Sequence, residues 1–258
     1  MLQWRVLTAL VLAPIVLGAI MAGRWAIALL IVIIVGLAAY ELARALKPLS
    51  FMATFGAGAL PVLLSIPYGT SGALAGVVTG LPWALFWLSN RPEARTLRGL
   101  LGLLLMSLWI GMPLAHLMLI GDLAAGRYLV LIVVVGPWVS DSAAYFAGRL
   151  FGRHELAPVL SPKKSYEGAI GGLVVTVAAV GYFAHAFLGV SITDAVVLGV
   201  VVSVSSQAGD LFESLLKRTL QLKDLGRILP GHGGVLDRID SLLFATPAVY
   251  YLYALFMA

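Results

Sequence analysis

The chain has 258 residues, 61% of them hydrophobic and only 11% charged, with a formal net charge of +5 and no cysteine. That composition excludes an ordinary soluble enzyme, and the missing thiols exclude disulfides, thiolate metal sites and a cysteine nucleophile. The basic excess is spread over short segments between apolar runs rather than gathered in a soluble domain, which argues against nucleic acid as a partner and for anionic membrane lipids.

An uncharged run of roughly 20 residues can cross a bilayer as a helix. Taken in chain order, such runs predict an all-α, polytopic integral membrane protein with about nine transmembrane helices, at 6–23, 25–40, 49–67, 71–89, 99–121, 128–147, 168–190, 195–216 and 241–257. The first run has Arg5 ahead of it and no small-x-small cleavage site, so a retained helix is expected rather than a signal peptide. With the N-terminus cytoplasmic, 15 of the 17 Lys and Arg residues fall on the inner side, and only Arg24 and Arg127 fall outside. Cytoplasmic loops are enriched in just this way.

Residues 1–127 have short loops and few polar groups within spans, and are expected to be a transmembrane scaffold in which Glu41, Arg44 and Lys47 mark a helix end at the interface. Residues 128–258 are expected to be the working region, with cytoplasmic loops at 148–167 and 210–240. Four polar clusters lie there. Trp138, Asp141, Ser142 and Tyr145 follow Gly136-Pro137, which can kink a helix, so the Asp141 carboxylate is expected to face a wet cavity. In the run SPKKSYEG, Ser161, Lys163, Lys164 and Ser165 precede a helix start, a setting suited to phosphate by charge and by the helix dipole. A Walker loop is absent.

The third cluster, Asp210, Glu213, Ser214 and Lys217, falls at helical spacing on one face. The fourth, PGHGGVLDRID, sets His232 among Gly231, Gly233 and Gly234, then places Asp237 and Asp240 three apart around Arg238. Glycines there would let the backbone approach a ligand and present N–H groups, and the hard oxygen donors suit Mg²⁺ with phosphates completing its shell. Carboxylates for metal beside lysines and arginines for phosphate point to phosphoryl or nucleotidyl transfer on a lipid. No HExxH or serine-histidine-acid spacing supports a hydrolase.

Over 214–240, Ser214, Leu216, Lys217, Arg218, Lys223, Asp224, Gly226, Leu229, Pro230, His232, Gly233, Gly234, Val235, Asp237, Arg238, Ile239 and Asp240 together resemble the signature of the phosphatidate cytidylyltransferase, or CDP-diacylglycerol synthase, family. The Trp138-x-x-Asp141-x-x-Ala144-Tyr145, SPKKSxEG and GDLxES runs are similar to other motifs of that family, and so is the start Arg5-x-x-Thr8-Ala9. The resemblance implies a Mg²⁺-dependent transferase of phospholipid biosynthesis that converts CTP and phosphatidic acid to CDP-diacylglycerol and pyrophosphate. It implies a multi-pass protein of a bacterial-type inner membrane with its active site on the cytoplasmic side. A second cation beside Mg²⁺ is compatible with it, and a homodimer through glycine-rich spans is expected.

By the same resemblance, Asp210, Asp237 and Asp240 are the expected metal ligands, and Lys217, Arg238 and His232 the expected catalytic partners. Asp141, Ser161, Lys163, Lys164, Ser165, Ser214, Arg218, Lys223, Gly233 and Gly234 are the expected substrate contacts. Two rivals stay open at this stage. A secondary transporter would place its site near the bilayer midplane, whereas this charge lies at one face. Another lipid-linked transferase, using CTP toward a polyprenol or an ether lipid, would share the electrostatics. The DGxxAR pattern of CDP-alcohol transferases is absent.

Overall fold

A computed structural model describes residues 2–46, 49–88, 96–229, 231 and 233–257. The apolar runs become helices: α1 Leu2–Ala22, α2 Arg24–Ala45, α3 Phe51–Leu88, α4 Thr96–Leu105, a π-helical turn at Met106–Gly111, α5 Met112–Gly121, α6 Gly126–Phe151, α7 Tyr166–Leu188, α8 Ile192–Thr219 and α9 Leu236–Phe256. Among the described residues, seven helical stretches are long and apolar enough to cross a membrane, and Leu10–Ala22 is a shorter apolar helix. In hydrocarbon every backbone N–H and C=O must be satisfied within the segment, and a helix does this at any sequence position. Exposed Leu10, Ile15, Leu29, Ile170, Val174 and Tyr182 would be a liability in water and are ordinary on a surface that faces lipid.

The expected spans 49–67 and 71–89 are joined as α3, which is broken at Gly69, with φ 61° and ψ −141°. A residue with a Cβ is strained at that positive φ, and Pro67 just before it withholds one backbone donor, so the chain can turn here without a loop.

The chain divides into two compact units, Met1–Asp122 with Asp224–Ile239, and Leu123–Lys223 with Asp240–Ala258. In the first unit, α3 packs on α2, α5 and the π-helical turn, around buried Ile31, Val35, Leu42, Met106, Ile110 and Leu114. Arg24 donates to the Ile66 carbonyl at 2.9 Å and pairs with Asp122 at 3.3 Å, so the start of α2, the region just before the Gly69 break and the residue after α5 meet at one end of this unit.

In the second unit, α7 packs between α6 and α8, over buried Leu129, Val133, Leu198 and Val202. Phe212 of α8 and Phe244 of α9 meet in a tilted pair with ring centroids 5.4 Å apart. The expected loop at 148–167 is shorter and more ordered than its polarity predicts: α6 runs on to Phe151, and β1 Glu155–Ala157 then pairs antiparallel with β2 Ser161–Ser165. The loop at 210–240 also shrinks at both ends. At one end α8 continues to Thr219, with a Lys217–Glu213 pair one turn apart and Lys217 and Arg218 complementing the negative end of its dipole. At the other, α9 starts at Leu236, before the apolar run begins, because the Glu41 carboxylate accepts the Val235 and Leu236 N–H groups at its start.

Candidate active site

The hairpin and three helices of the second unit enclose a cavity of about 340 Å³, lined by Asp141, Tyr145 and Arg149 of α6, Lys163 and Lys164 of β2, and Gln207 and Asp210 of α8, among others. Each polar group reaches it for a local reason. Asp141 lies mid-helix rather than at a terminus, since α6 continues ten residues further to Phe151. It is therefore not a helix cap. Arg149 donates to the Tyr145 hydroxyl at 3.2 Å, one turn back on the same helix face. Gln207 is held by the Ala169 carbonyl at 3.2 Å and the Ser203 hydroxyl at 3.1 Å.

The lysines are presented by the hairpin, which is anchored at both ends. Ser165 caps α7, its hydroxyl accepting the Gly168 N–H at 3.1 Å, and Glu167 in the first turn accepts the N–H groups of Arg153 at 3.1 Å and His154 at 3.3 Å. His154 Nδ1 also lies 2.6 Å from Glu167. At the hairpin turn, Arg218 Nε donates to the Leu160 carbonyl at 3.2 Å. Lys164 Nζ then sits 2.5 Å from Asp210 Oδ2.

Beside the cavity, Asp210, Glu213 and Asp240 bring one carboxylate oxygen each to within 4.8 Å of one another. Glu213 is 1% exposed and Asp240 8% exposed. Gly209 permits this approach of α8 to α9, since a Cβ there would lie 2.5 Å from the Asp240 carbonyl oxygen. Lys217 pairs with Glu213, and the Ser241 N–H donates to Asp240 Oδ1 at 2.8 Å. Three carboxylates this close, two of them buried, repel one another unless a cation or a shared proton lies among them, and the two lysines neutralise only part of the charge. An all-oxygen set of this kind fits Mg²⁺, which takes few protein carboxylates and leaves positions for water and phosphate.

Asp237, expected in the metal set, lies in the other unit, where its Oδ2 accepts the Gly234 N–H at 2.8 Å at the head of α9. Arg238, Gly233 and Gly234 are in that unit too, and His232 lies outside the described residues. Asp141, Lys163, Lys164, Ser165 and Asp210 come together at the cavity, whereas Trp138 and Ser142 line a separate apolar groove on the opposite side of α6. Ser161 opens β2 opposite Ala157, Ser214 is half-buried in α8, and Lys223 is exposed beyond it. The sequence puts Glu213 on one face with Asp210 but does not mark it as a candidate metal ligand, and it does not mark Gln207 or Arg149 as cavity residues. The i, i+3 spacing of Asp210 and Glu213 was the available signal for the first; nothing local marks the others.

A model of the cytidylyltransferase family matches residues 3–256. The chain belongs to that family. Among its relatives, a phosphatidate cytidylyltransferase of Haemophilus influenzae is 46% identical over 133 residues, 50% of this chain and 46% of that protein. One from Bacillus subtilis is 41% identical over 154 residues, covering 59% of this chain and 57% of the relative. One from Mycobacterium bovis is 33% identical over 211 residues, or 77% and 69% of the two chains. The chain thus spans about half the length of the first two relatives it matches.

Proposed function

We propose that this cytidylyltransferase-family chain is a CTP:phosphatidate cytidylyltransferase, forming CDP-diacylglycerol and pyrophosphate from CTP and phosphatidic acid for phospholipid biosynthesis. The observation that carries the reading is the carboxylate trio Asp210, Glu213 and Asp240 set beside Lys164 in a chain built of membrane-length helices. The names of the relatives support it.

In the reaction an oxygen of the phosphatidic acid phosphate attacks the α-phosphorus of CTP. The new P–O bond joins lipid to cytidylate as the bond to the β-phosphate breaks and pyrophosphate departs. The attacking phosphate is already largely ionised at neutral pH, so no general base and no covalent enzyme intermediate are needed. Both reactants are anions, so the protein's task is to neutralise and align them. Lys163 and Lys164 line the cavity, and with Lys217, Arg218, Lys223 and Arg238 are assigned to the CTP and lipid phosphates. Ser161, Ser165, Ser214, Gly233 and Gly234 are proposed to contact substrate, and His232 to orient a phosphate. Asp141, which lines the cavity, is proposed to fix substrate there.

Asp210, Glu213 and Asp240 would hold Mg²⁺, whose charge offsets that of the phosphates. Asp237, which the resemblance also places among the metal ligands, is proposed to contribute its charge from the start of α9, and a second cation is compatible with the number of carboxylates. Because asparagine retains a carbonyl to accept the Gly234 N–H, Asp237→Asn separates charge from capping. A fall in kcat of about a hundredfold or more with unchanged melting temperature in detergent is expected; near-normal Mg²⁺-dependent turnover would reduce Asp237 to a helix cap.

Nine transmembrane spans with a cytoplasmic N-terminus, in a bacterial-type inner membrane, belong to the same proposal. The excess of Lys and Arg on one side supports it, as does the meeting of Arg24 with Ile66 and Asp122, three points the nine-span order assigns to the outer face. That order puts the catalytic groups on the cytoplasmic side, where CTP is. A homodimer is proposed on the small-residue helix faces. The test is to incubate purified protein with CTP, phosphatidic acid and Mg²⁺ and quantify CDP-diacylglycerol and pyrophosphate. Equal amounts of both products support the reading; CTP consumption without a cytidylated lipid would overturn it.

A further inference from the structure

Glu41, near the end of α2, is a carboxylate that the proposed chemistry leaves unused, yet it is only 2% exposed. Its Oε1 accepts the Val235 N–H at 2.9 Å and its Oε2 the Leu236 N–H at 3.0 Å. These are N–H groups at the start of α9, which no carbonyl of that helix can reach. They form the positive pole at which an outside phosphate would otherwise bind. Around them, Asp237 takes the Gly234 N–H at 2.8 Å, and the Leu229 N–H is spent on the Gly233 carbonyl at 2.9 Å. The glycine-rich segment thus directs these donors inward.

Two of its glycines are explained by the same carboxylate. Positive φ occurs at Gly231 and Gly233 but not at Gly226 or Gly234, so the latter two lack a side chain for reasons of space. A Cβ on Gly234 would lie 2.6 Å and 2.7 Å from the two Glu41 oxygens, and its three nearest atoms all belong to Glu41. A Cβ on Gly226 would overlap Oε1 and Cδ of Glu41 and lie 2.6 Å from its Cγ.

We propose that Glu41 is a positioning residue that clamps the glycine-rich segment onto α2, fixes the start of α9, and so sets where Asp237 and Arg238 are held. Gly226 and Gly234 lack side chains because a Cβ at either would strike this carboxylate. The role in catalysis rests on the reading that Asp237 and Arg238 serve cytidylyl transfer; the clamp itself does not.

A double-mutant cycle on the purified full chain tests it, using Glu41→Ala, Gly234→Ala and the pair. The readouts are kcat, KM for CTP, and the rate of trypsin cleavage of the folded protein at the exposed Lys223 and Arg227. Glu41→Ala is expected to lower kcat about tenfold to a hundredfold with little change in KM for CTP, and to speed cleavage about tenfold. Gly234→Ala alone has an effect of similar size, and adding it to Glu41→Ala costs less than about a further twofold, because the atoms it would strike are gone. Losses that multiply in the pair, or wild-type kcat and cleavage in Glu41→Ala, overturn the proposal. Where Glu41→Ala does not fold, Glu41→Gln replaces it: one acceptor is lost at constant shape, so faster cleavage and lower kcat are expected, and wild-type values for both would overturn the clamp. Absence of cytidylated lipid from the wild-type protein would instead sink the functional reading, and the cleavage rates would still decide the clamp.

Discussion

Asp240→Asn is expected to lower kcat on the order of a thousandfold while the protein remains folded. The asparagine keeps a carbonyl for the Ser241 N–H that now donates to Asp240 Oδ1 at 2.8 Å, so the start of α9 is not disturbed. What is lost is one negative charge from a set of three carboxylates whose oxygens lie within 4.8 Å of one another, in a position only 8% exposed to solvent. Shielded from water, that charge binds a cation far more strongly than it would at a surface, and several kcal/mol of charge stabilisation converts to about three orders of magnitude in rate. Turnover measured at saturating CTP and phosphatidic acid checks this. A variant within about tenfold of wild type would remove Asp240 from the metal set and leave it as a buried structural acid.

Lys164→Glu is the second large effect. Nζ of Lys164 is 2.5 Å from Asp210, at the edge of the cavity that Lys163, Arg149 and Asp141 also line. Reversal replaces an attraction for phosphate with a repulsion and adds a carboxylate to an acidic cluster. A loss of about a hundredfold in kcat/KM for CTP is expected, with a smaller loss for Lys164→Ala. Because β2 is fixed by Ser165, Glu167 and its pairing to β1, the hairpin itself should survive the change. Unchanged kinetics would return these lysines to a role in membrane topology alone.

Much of this was legible from the chain order of residues, because a bilayer leaves so few ways to satisfy a backbone. Uncharged runs had to become helices, and Asp210, Glu213 and Lys217 had to share a face once α8 formed. The break at Gly69 was legible only as the gap between two expected spans, since its sharpness comes from a single positive φ. The hairpin at 155–165 was hidden because its two strands are three and five residues long and carry no alternating apolar pattern.

Long-range partners were not legible at all. Glu41 looked like an interfacial residue at a helix end, and only contacts spanning 194 and 195 residues make it a clamp. Gly234 looked like a ligand-approach glycine and Gly226 only like a position of the signature, yet the atoms nearest their missing side chains belong to that same glutamate. Trp138 and Ser142 seemed to belong with Asp141 and Tyr145, but α6 sends the two pairs to different cavities. A run of polar residues four to seven long says that a helix face is functional without saying which neighbour it meets.

The most direct measurement follows transfer of label from the α-phosphorus of CTP into lipid across a Mg²⁺ titration, for the wild-type protein and Glu213→Gln. Glu213 joins the proposed metal set only through the geometry of α8 and α9, so it tests the assembled site rather than the signature. Label is predicted to enter lipid only with both phosphatidic acid and Mg²⁺ present, and Glu213→Gln is predicted to raise the half-saturating Mg²⁺ concentration about tenfold or to abolish transfer. Transfer that proceeds without a divalent cation, or a Glu213→Gln curve that overlays the wild-type one, would contradict a carboxylate-held Mg²⁺ as the centre of this chemistry.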